Sequence, residues 1–190
     1  TQLADLNGDG RADLLAAGRG FLVVAVGDGR GGFAPTDTIR TPGPGYVECL
    51  RTGADTDRNG RLDFLLVADE GSVFNSRNTL RFFRETHAAR ALRASVSAPL
   101  AFAAVRAGSA QFARWTSEVP GGVPSAVDVE VSVSGPDGPW QTLASDAPDN
   151  GCLQWIAPVT PTADARLRVT VRTAASSAAA ISRVPFRIVP

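Results

Sequence analysis

The sequence predicts an all-β protein in two parts: a partial, β-propeller-like array of two repeats over residues 1–94, then a β-sandwich over residues 95–190. Three observations carry this expectation. Near-identical Asp/Asn/Gly-rich segments stand at 5–13 and 55–63, fifty residues apart, and each runs into a short apolar stretch. Repeat periods of this size belong to propeller blades and related arrays. In the second half, Val127-Asp128-Val129-Glu130-Val131 and Leu167-Arg168-Val169-Thr170-Val171 alternate apolar and polar residues, which sends one strand face inward and the other to solvent.

Taken in order, residues 14–17 and 21–26 are short apolar runs around a Gly18-Arg19-Gly20 turn, and 27–33 form a glycine-rich turn. The runs are too short and too glycine-bounded for helices, so they read as strands and hairpins. Residues 34–46 are a Pro/Gly/Thr linker, 46–50 a strand into the second acidic segment, and 64–68 and 79–84 strands around a turn at 69–78. Loop, strand, turn, strand therefore occurs twice. Propellers close with four to eight blades; two repeats either continue into blades before Thr1 or pack in another way. A terminal repeat needs cover, which the following module could give.

Residues 85–98 are Ala/Arg-rich, and 87–92 fit one or two helical turns or a linker. From Pro99 the expected strands are 100–105, 111–115, 127–134, 140–143, 153–155, 165–173 and 182–189, with 173–180 a low-complexity loop. That density of short strands fits a sandwich.

Composition excludes several functions. Nineteen basic residues, all Arg, balance nineteen acidic ones, twelve of each before residue 95 and seven of each after it. There is no basic footprint for nucleic acid, no Lys/Arg-rich amphipathic helix for a membrane surface, and no transmembrane run. The chain contains no Met, so it is expected to be a processed product or a piece of a longer protein. Cys49 and Cys152 stand one in each half; they are either one bridge, favouring an oxidising compartment, or two thiols acting as small apolar residues.

The chemistry concentrates in the two acidic segments. Both read D-x-[DN]-x-[DN]-G-x-x-D, the pattern of a calcium loop. Calcium takes six to eight oxygen ligands. The first loop offers Asp5, Asn7, Asp9, the backbone oxygen of Arg11, and Asp13; the second offers Asp55, Asp57, Asn59, the backbone oxygen of Arg61, and Asp63. Gly10 and Gly60 allow the sharp turn around the ion. Carboxylates this close repel one another, and a cation removes that cost. An EF-hand would place a bidentate Glu at position twelve, where this chain has Ala16 and Leu66. Two Ca2+ ions in structural roles are therefore expected; the bland alternative is a pair of metal-free Asx turns.

Other residues attract weaker readings. His87 is the single histidine, without a partner for a transition metal. Trp115, Trp140 and Trp155 fall on strands and read as packing, or as a sugar platform. No P-loop, GxSxG or HExxH is present.

The two loops, each followed by Leu14-Leu15 or Phe64-Leu65-Leu66, resemble the FG-GAP/VCBS repeats of integrin-type propellers, and the turn Gly27-Asp28-Gly29-Arg30-Gly31-Gly32-Phe33 is similar to the glycine turn of those repeats. The resemblance covers about residues 3–84. It implies a secreted or cell-surface protein with structural calcium, in settings of adhesion or sugar binding, and also as an appendage of bacterial hydrolases. Dockerin loops share the acidic pattern but run into helices. Residues 112–117, 127–132, 138–143 and 149–155 resemble an Ig-like, fibronectin-like module of bacterial exported proteins, through the Trp-Thr-Ser strand and the Asn-Gly-Cys-Leu-Gln-Trp strand.

The expected function is non-catalytic: a calcium-stabilised adhesion or spacer fragment, secreted or on the cell surface. Its partners would be a protein or glycan surface and the remainder of a parent chain with further blades on its N-terminal side. The alternative is an accessory region of a secreted hydrolase whose catalytic domain lies outside this chain.

Overall fold

The computed structural model describes the chain except residues 8–10, 42–45, 73, 87 and 101, and except the side chains of 46, 53 and 54. Among the described residues there is no α-helix, and the fold is all-β. Two compact units account for it, one of Thr1–Thr56 with Arg61–Thr86, the other of Asp57–Gly60 with His87–Pro190.

The first unit holds two antiparallel sheets, each a simple meander. In the first, β1 (Gln2–Ala4), β2 (Asp13–Gly18), β3 (Phe21–Gly27) and β4 (Phe33–Arg40) lie side by side in chain order. In the second, β5 (Tyr46–Ala54), β6 (Asp63–Asp69) and β7 (Asn78–Phe83) do the same. β1 and β5 precede an acidic loop, β2 and β6 follow one, and β3 and β7 complete the matching hairpins. No counterpart of β4 pairs with β7 among the described residues. A shared core of Leu15, Leu22, Leu50, Phe64 and Leu66 lies between the two sheets, and Phe64 stacks on Phe83 with ring centroids 5.0 Å apart. Burying such side chains contributes about 1.5–3 kcal/mol each.

The expected linker over 34–46 is corrected: residues 33–40 are strand β4. Its residues are nearly all exposed, because an edge strand in this position buries no apolar stripe and so shows none in sequence. Pro35 is tolerated because an edge strand leaves one row of N–H groups unpaired.

The second unit places β8 (Arg93–Ala98), β10 (Ala110–Glu118) and β13 (Cys152–Ile156) in a three-stranded sheet, in the order β13-β10-β8. A larger sheet runs β12 (Gln141–Pro148), β11 (Ala126–Ser132), β14 (Thr162–Arg172), β16 (Phe186–Val189) and β9 (Ala104–Arg106), with β15 (Ser177–Ile181) also pairing with β14. Ala113, Trp115 and Trp155 from the smaller sheet share one core with Val127, Val129, Val131, Leu167, Val169 and Val171 from the larger. The alternation seen in sequence becomes a register of Val127↔Val171, Val129↔Val169 and Val131↔Leu167. Trp155 meets Phe186 edge-on at 6.2 Å.

Three expectations are corrected here. The Ala/Arg-rich segment ends in the unexpected strand β8, while the described residues 88–92 form no helix, in line with the linker alternative; His87 itself lies outside the described residues. The low-complexity stretch contains strand β15. The strand expected over 100–105 shrinks to β9, with Leu100 exposed. Cys49 and Cys152 are free thiols, both half-buried.

Candidate functional site

Each acidic loop joins the first two strands of its sheet, and the last Asp of each loop is the first residue of the second strand. Both are buried carboxylates: Asp13 lies on the strand face of the core residue Leu15, whereas Asp63 lies on the face opposite Phe64 and Leu66. Burial without partners would be costly, and both are well supplied. Asp13 Oδ2 accepts from the backbone N–H of Leu6 at 2.9 Å and of Asn7 at 3.3 Å. Asp13 Oδ1 accepts from Gly27 N–H at 2.9 Å. Asp63 Oδ2 accepts from Thr56 N–H at 2.9 Å and, in a very short bond, from the Thr56 hydroxyl. Asp63 Oδ1 accepts from Glu85 N–H at 3.0 Å.

The two carboxylates thus do the same work. One oxygen gathers the start of the loop, and the other holds the chain where the third strand ends. Gly27 and Glu85 are equivalent positions, since Leu14 pairs with Ala25 and Phe64 with Phe83. At Gly27 the backbone passes so close to the Ala12 carbonyl that a Cβ would collide with it. The sequence marked these Asp residues as ligands; their role as acceptors of backbone N–H was missed. The available signal was an Asp at the first position of the strand after the loop in both copies.

The remaining oxygen donors line the loops. Asp5 and Asn7 are half-buried, as are Asp55 and Asp57, while Asn59 is buried. Each of the five is engaged in interactions with neighbouring groups. The Asp57 Oδ1 atom is buried and has no hydrogen-bond donor against it. Gly60 adopts φ 85°, the left-handed turn expected of position six. Arg11 is exposed and Arg61 half-buried. Asp9 and Gly10 lie outside the described residues. Among the described residues, no three His, Cys, Asp or Glu side chains converge closely enough to hold a metal ion. The donor set is nonetheless that of a hard cation: carboxylate, amide and carbonyl oxygens, with no thiolate or imidazole.

The tip of the second loop, Asp57–Gly60, belongs to the second unit. There Asn59 forms an isolated bridge with Glu118, Val119 N–H donates to the Arg58 carbonyl at 2.8 Å, and Arg58 Nη1 donates to Ser125 Oγ at 3.1 Å. Ser125 in turn donates to Asp149 Oδ2 at 2.7 Å. Asp149 also accepts from Ser117 Oγ at 2.7 Å and from Trp115 Nε1 at 2.9 Å. A Cβ on Gly60 would stand 2.9 Å from that of Glu118.

Turn carboxylates outside the loops are also held. The backbone N–H groups of Arg30 and Gly32 keep Asp28 below the usual aspartate range. The Ser76 hydroxyl, with N–H groups of Arg77 and Gly71, does the same for Asp69. Arg81 lowers Glu70 by a direct hydrogen bond, Nε to Oε1 at 2.8 Å. Of the tryptophans, Trp115 and Trp155 are buried. Trp140 is half-buried, with the Arg168 guanidinium 4.3 Å from its ring centroid.

Residues 5–66 match the family model described as FG-GAP-like repeat. No curated protein matches the chain, and no solved structure does. No helix among the described residues is long and apolar enough to cross a membrane.

Proposed function

We propose that this chain is a non-catalytic, calcium-stabilised module of a secreted or cell-surface protein, serving as an adhesion or spacer unit. The observation that carries the reading is the doubled loop: two copies of one oxygen-rich motif, each closed by its final carboxylate in the same way. Calcium would be held by Asp5, Asn7, Asp9, the Arg11 carbonyl and Asp13 in the first loop. In the second it would be held by Asp55, Asp57, Asn59, the Arg61 carbonyl and Asp63. Bound there, it supplies positive charge that offsets repulsion between carboxylates and fixes the loop.

Loops lacking the bidentate Glu of high-affinity sites suit the millimolar calcium found outside cells, and the FG-GAP-like match supports an extracellular repeat module. On this reading the two meander sheets are propeller blades, the second unit is an Ig-like sandwich, and the partner is a protein or glycan surface. Calorimetric titration of chelator-treated protein with calcium is the test. Uptake of up to two ions is expected, with the second lost in Asp57→Ala. A ligand at a hundred times its Kd adds about 2.7 kcal/mol of stability, so the melting temperature should rise with calcium. Absence of uptake at millimolar calcium, or uptake indifferent to Asp57→Ala, would end the proposal.

A further inference from the structure

Three Asn-Gly pairs stand in the chain, at 7–8, 59–60 and 150–151. Such a pair is open to attack on itself, because the glycine has no Cβ to obstruct the approach of its nitrogen to the Asn side-chain carbonyl. The fold treats the pairs differently. Asn59 is 4% exposed and its backbone is bridged to Glu118. Asn7 is half-buried, and its N–H donates to Asp13 Oδ2 at 3.3 Å; Gly8 lies outside the described residues. Asn150 is exposed, on the bend that leads into β13.

The bend arms the third pair. Asn150 Oδ1 accepts from Cys152 N–H at 3.1 Å, which makes an Asx turn. That turn curls the carboxamide over the intervening Gly151 nitrogen. The Cys152 N–H also points at the oxygen on which charge develops when Cγ is attacked, as a fixed donor that stabilises it. Asn150 N–H donates to the Pro148 carbonyl at 2.9 Å, and Gly151 holds φ 79°, a conformation suited to glycine.

We infer that Asn150-Gly151 is a site of spontaneous covalent modification, with water as the co-reactant. The Gly151 nitrogen gives its proton to base and bonds to Asn150 Cγ. The Cγ–Nδ2 bond breaks, and the amide nitrogen leaves as ammonia. Water then opens the cyclic imide at one carbonyl or the other. The products are aspartate, with the main chain unchanged, and isoaspartate, whose main chain runs through Cβ and Cγ. One water enters, one ammonia leaves, and a negative charge is gained; nothing is oxidised or reduced.

The position matters to the second unit. Asp149 accepts from Trp115 Nε1, Ser117 Oγ and Ser125 Oγ, and the Gly151 carbonyl accepts from Trp115 N–H at 3.1 Å. Isoaspartate inserts an extra main-chain carbon between these two anchors, so they cannot both keep their geometry. Aspartate inserts none. One product should therefore loosen the entry to β13, and the other should spare it. The inference does not rest on calcium.

Mass spectrometry of the full chain, aged in mildly alkaline buffer either folded or in urea, tests it. Cleavage after Arg114 and Arg166 leaves Asn150 on a peptide with no other Asn, and fragmentation assigns the other two sites. Asn150 should convert first in the folded protein and keep most of its rate in urea, whereas folding should slow Asn59 about tenfold or more. The isoaspartyl fraction, separated by chromatography, should melt below the Asn150→Asp variant, which should melt like wild type. Conversion of Asn7 or Asn59 ahead of Asn150, a slowing of Asn150 by folding of about tenfold or more, or an isoaspartyl fraction as stable as Asn150→Asp would each overturn the proposal.

Discussion

The two repeats carry one motif in two settings. In both, the final Asp is buried and closes the loop onto the end of the third strand. In the first repeat that strand ends in Gly27, and the chain passes tightly under the Ala12 carbonyl. In the second, the equivalent residue is Glu85, and the loop tip is engaged by Glu118, Val119 and Ser125. The motif therefore fixes the clasp, and the surroundings fix the tip. Removing the clasp should hurt both repeats alike, whereas changes at the tip should separate them.

The largest effect is expected from Asp13→Ala and Asp63→Ala. Each leaves three donor groups at a buried position without an acceptor, at about 1–3 kcal/mol per stranded group, so each should lose about 3 kcal/mol or more. Urea denaturation should find both losses in chelator as well as in calcium, because the clasp uses protein donors. Asp57→Ala should cost stability chiefly in calcium. If Asp13→Ala and Asp63→Ala were harmless in chelator, the clasp would be a by-product of an ion site and not a support in itself.

Gly27→Ala comes next. The added methyl meets backbone that cannot rotate away, and the Gly27 N–H bond to Asp13 must lengthen. A loss of about 2 kcal/mol is expected, again by urea denaturation. Because the second repeat places Glu85 at the equivalent position, a wild-type-like Gly27→Ala would show that the two clasps have looser geometry than described. Asp149→Ala in the second unit offers a control of similar size, about 2 kcal/mol, since Asp149 gathers Trp115, Ser117 and Ser125 by the same device without any metal motif around it. Thermal melts with and without calcium should show its loss unchanged by the ion.

How much of this was legible in sequence follows from what each element buries. β2, β3, β6 and β7 show as apolar runs because they supply the core between the sheets. β11 and β14 show as strict alternation because one face meets Trp115 and Trp155 while the other meets water. β4, β8 and β15 were hidden. β4 is an edge with almost nothing buried, β15 is Ser-Ala-Ala-Ala-Ile and pairs only with β14, and β8 is a short Ala/Ser stretch with one Val at the end of an Ala/Arg-rich segment, so local propensity pointed elsewhere until pairing with β10 decided it. The parallel pairing of β9 with β16 joins distant segments and leaves no local pattern. The loops were legible as oxygen-rich turns, but the backbone partners of Asp13 and Asp63 come from Gly27 and Glu85, whose proximity is set only by the strand register.

The smallest expected effect separates the repeats by acid. Asp28 in the first repeat is held mainly by backbone N–H groups, whereas Asp69 and Glu70 in the second depend on Ser76 and Arg81. All three carboxyls sit below their ordinary values when folded, while the unfolded chain titrates near about 4. The unfolded state then binds more protons in that range, so the stabilisation is complete above the ordinary carboxylate values and fades as pH falls through the lowered folded ones. All three are at the surface, so the effect should be modest and best followed by carboxyl-carbon chemical shifts during an acid titration. High salt should raise the Glu70 midpoint toward its ordinary value by screening Arg81 and leave Asp28 nearly unmoved, and Ser76→Ala should raise the Asp69 midpoint alone. Equal salt responses at Asp28 and Glu70 would mean that charge, not hydrogen-bond donors, sets both turns, and the contrast between the repeats at these positions would disappear.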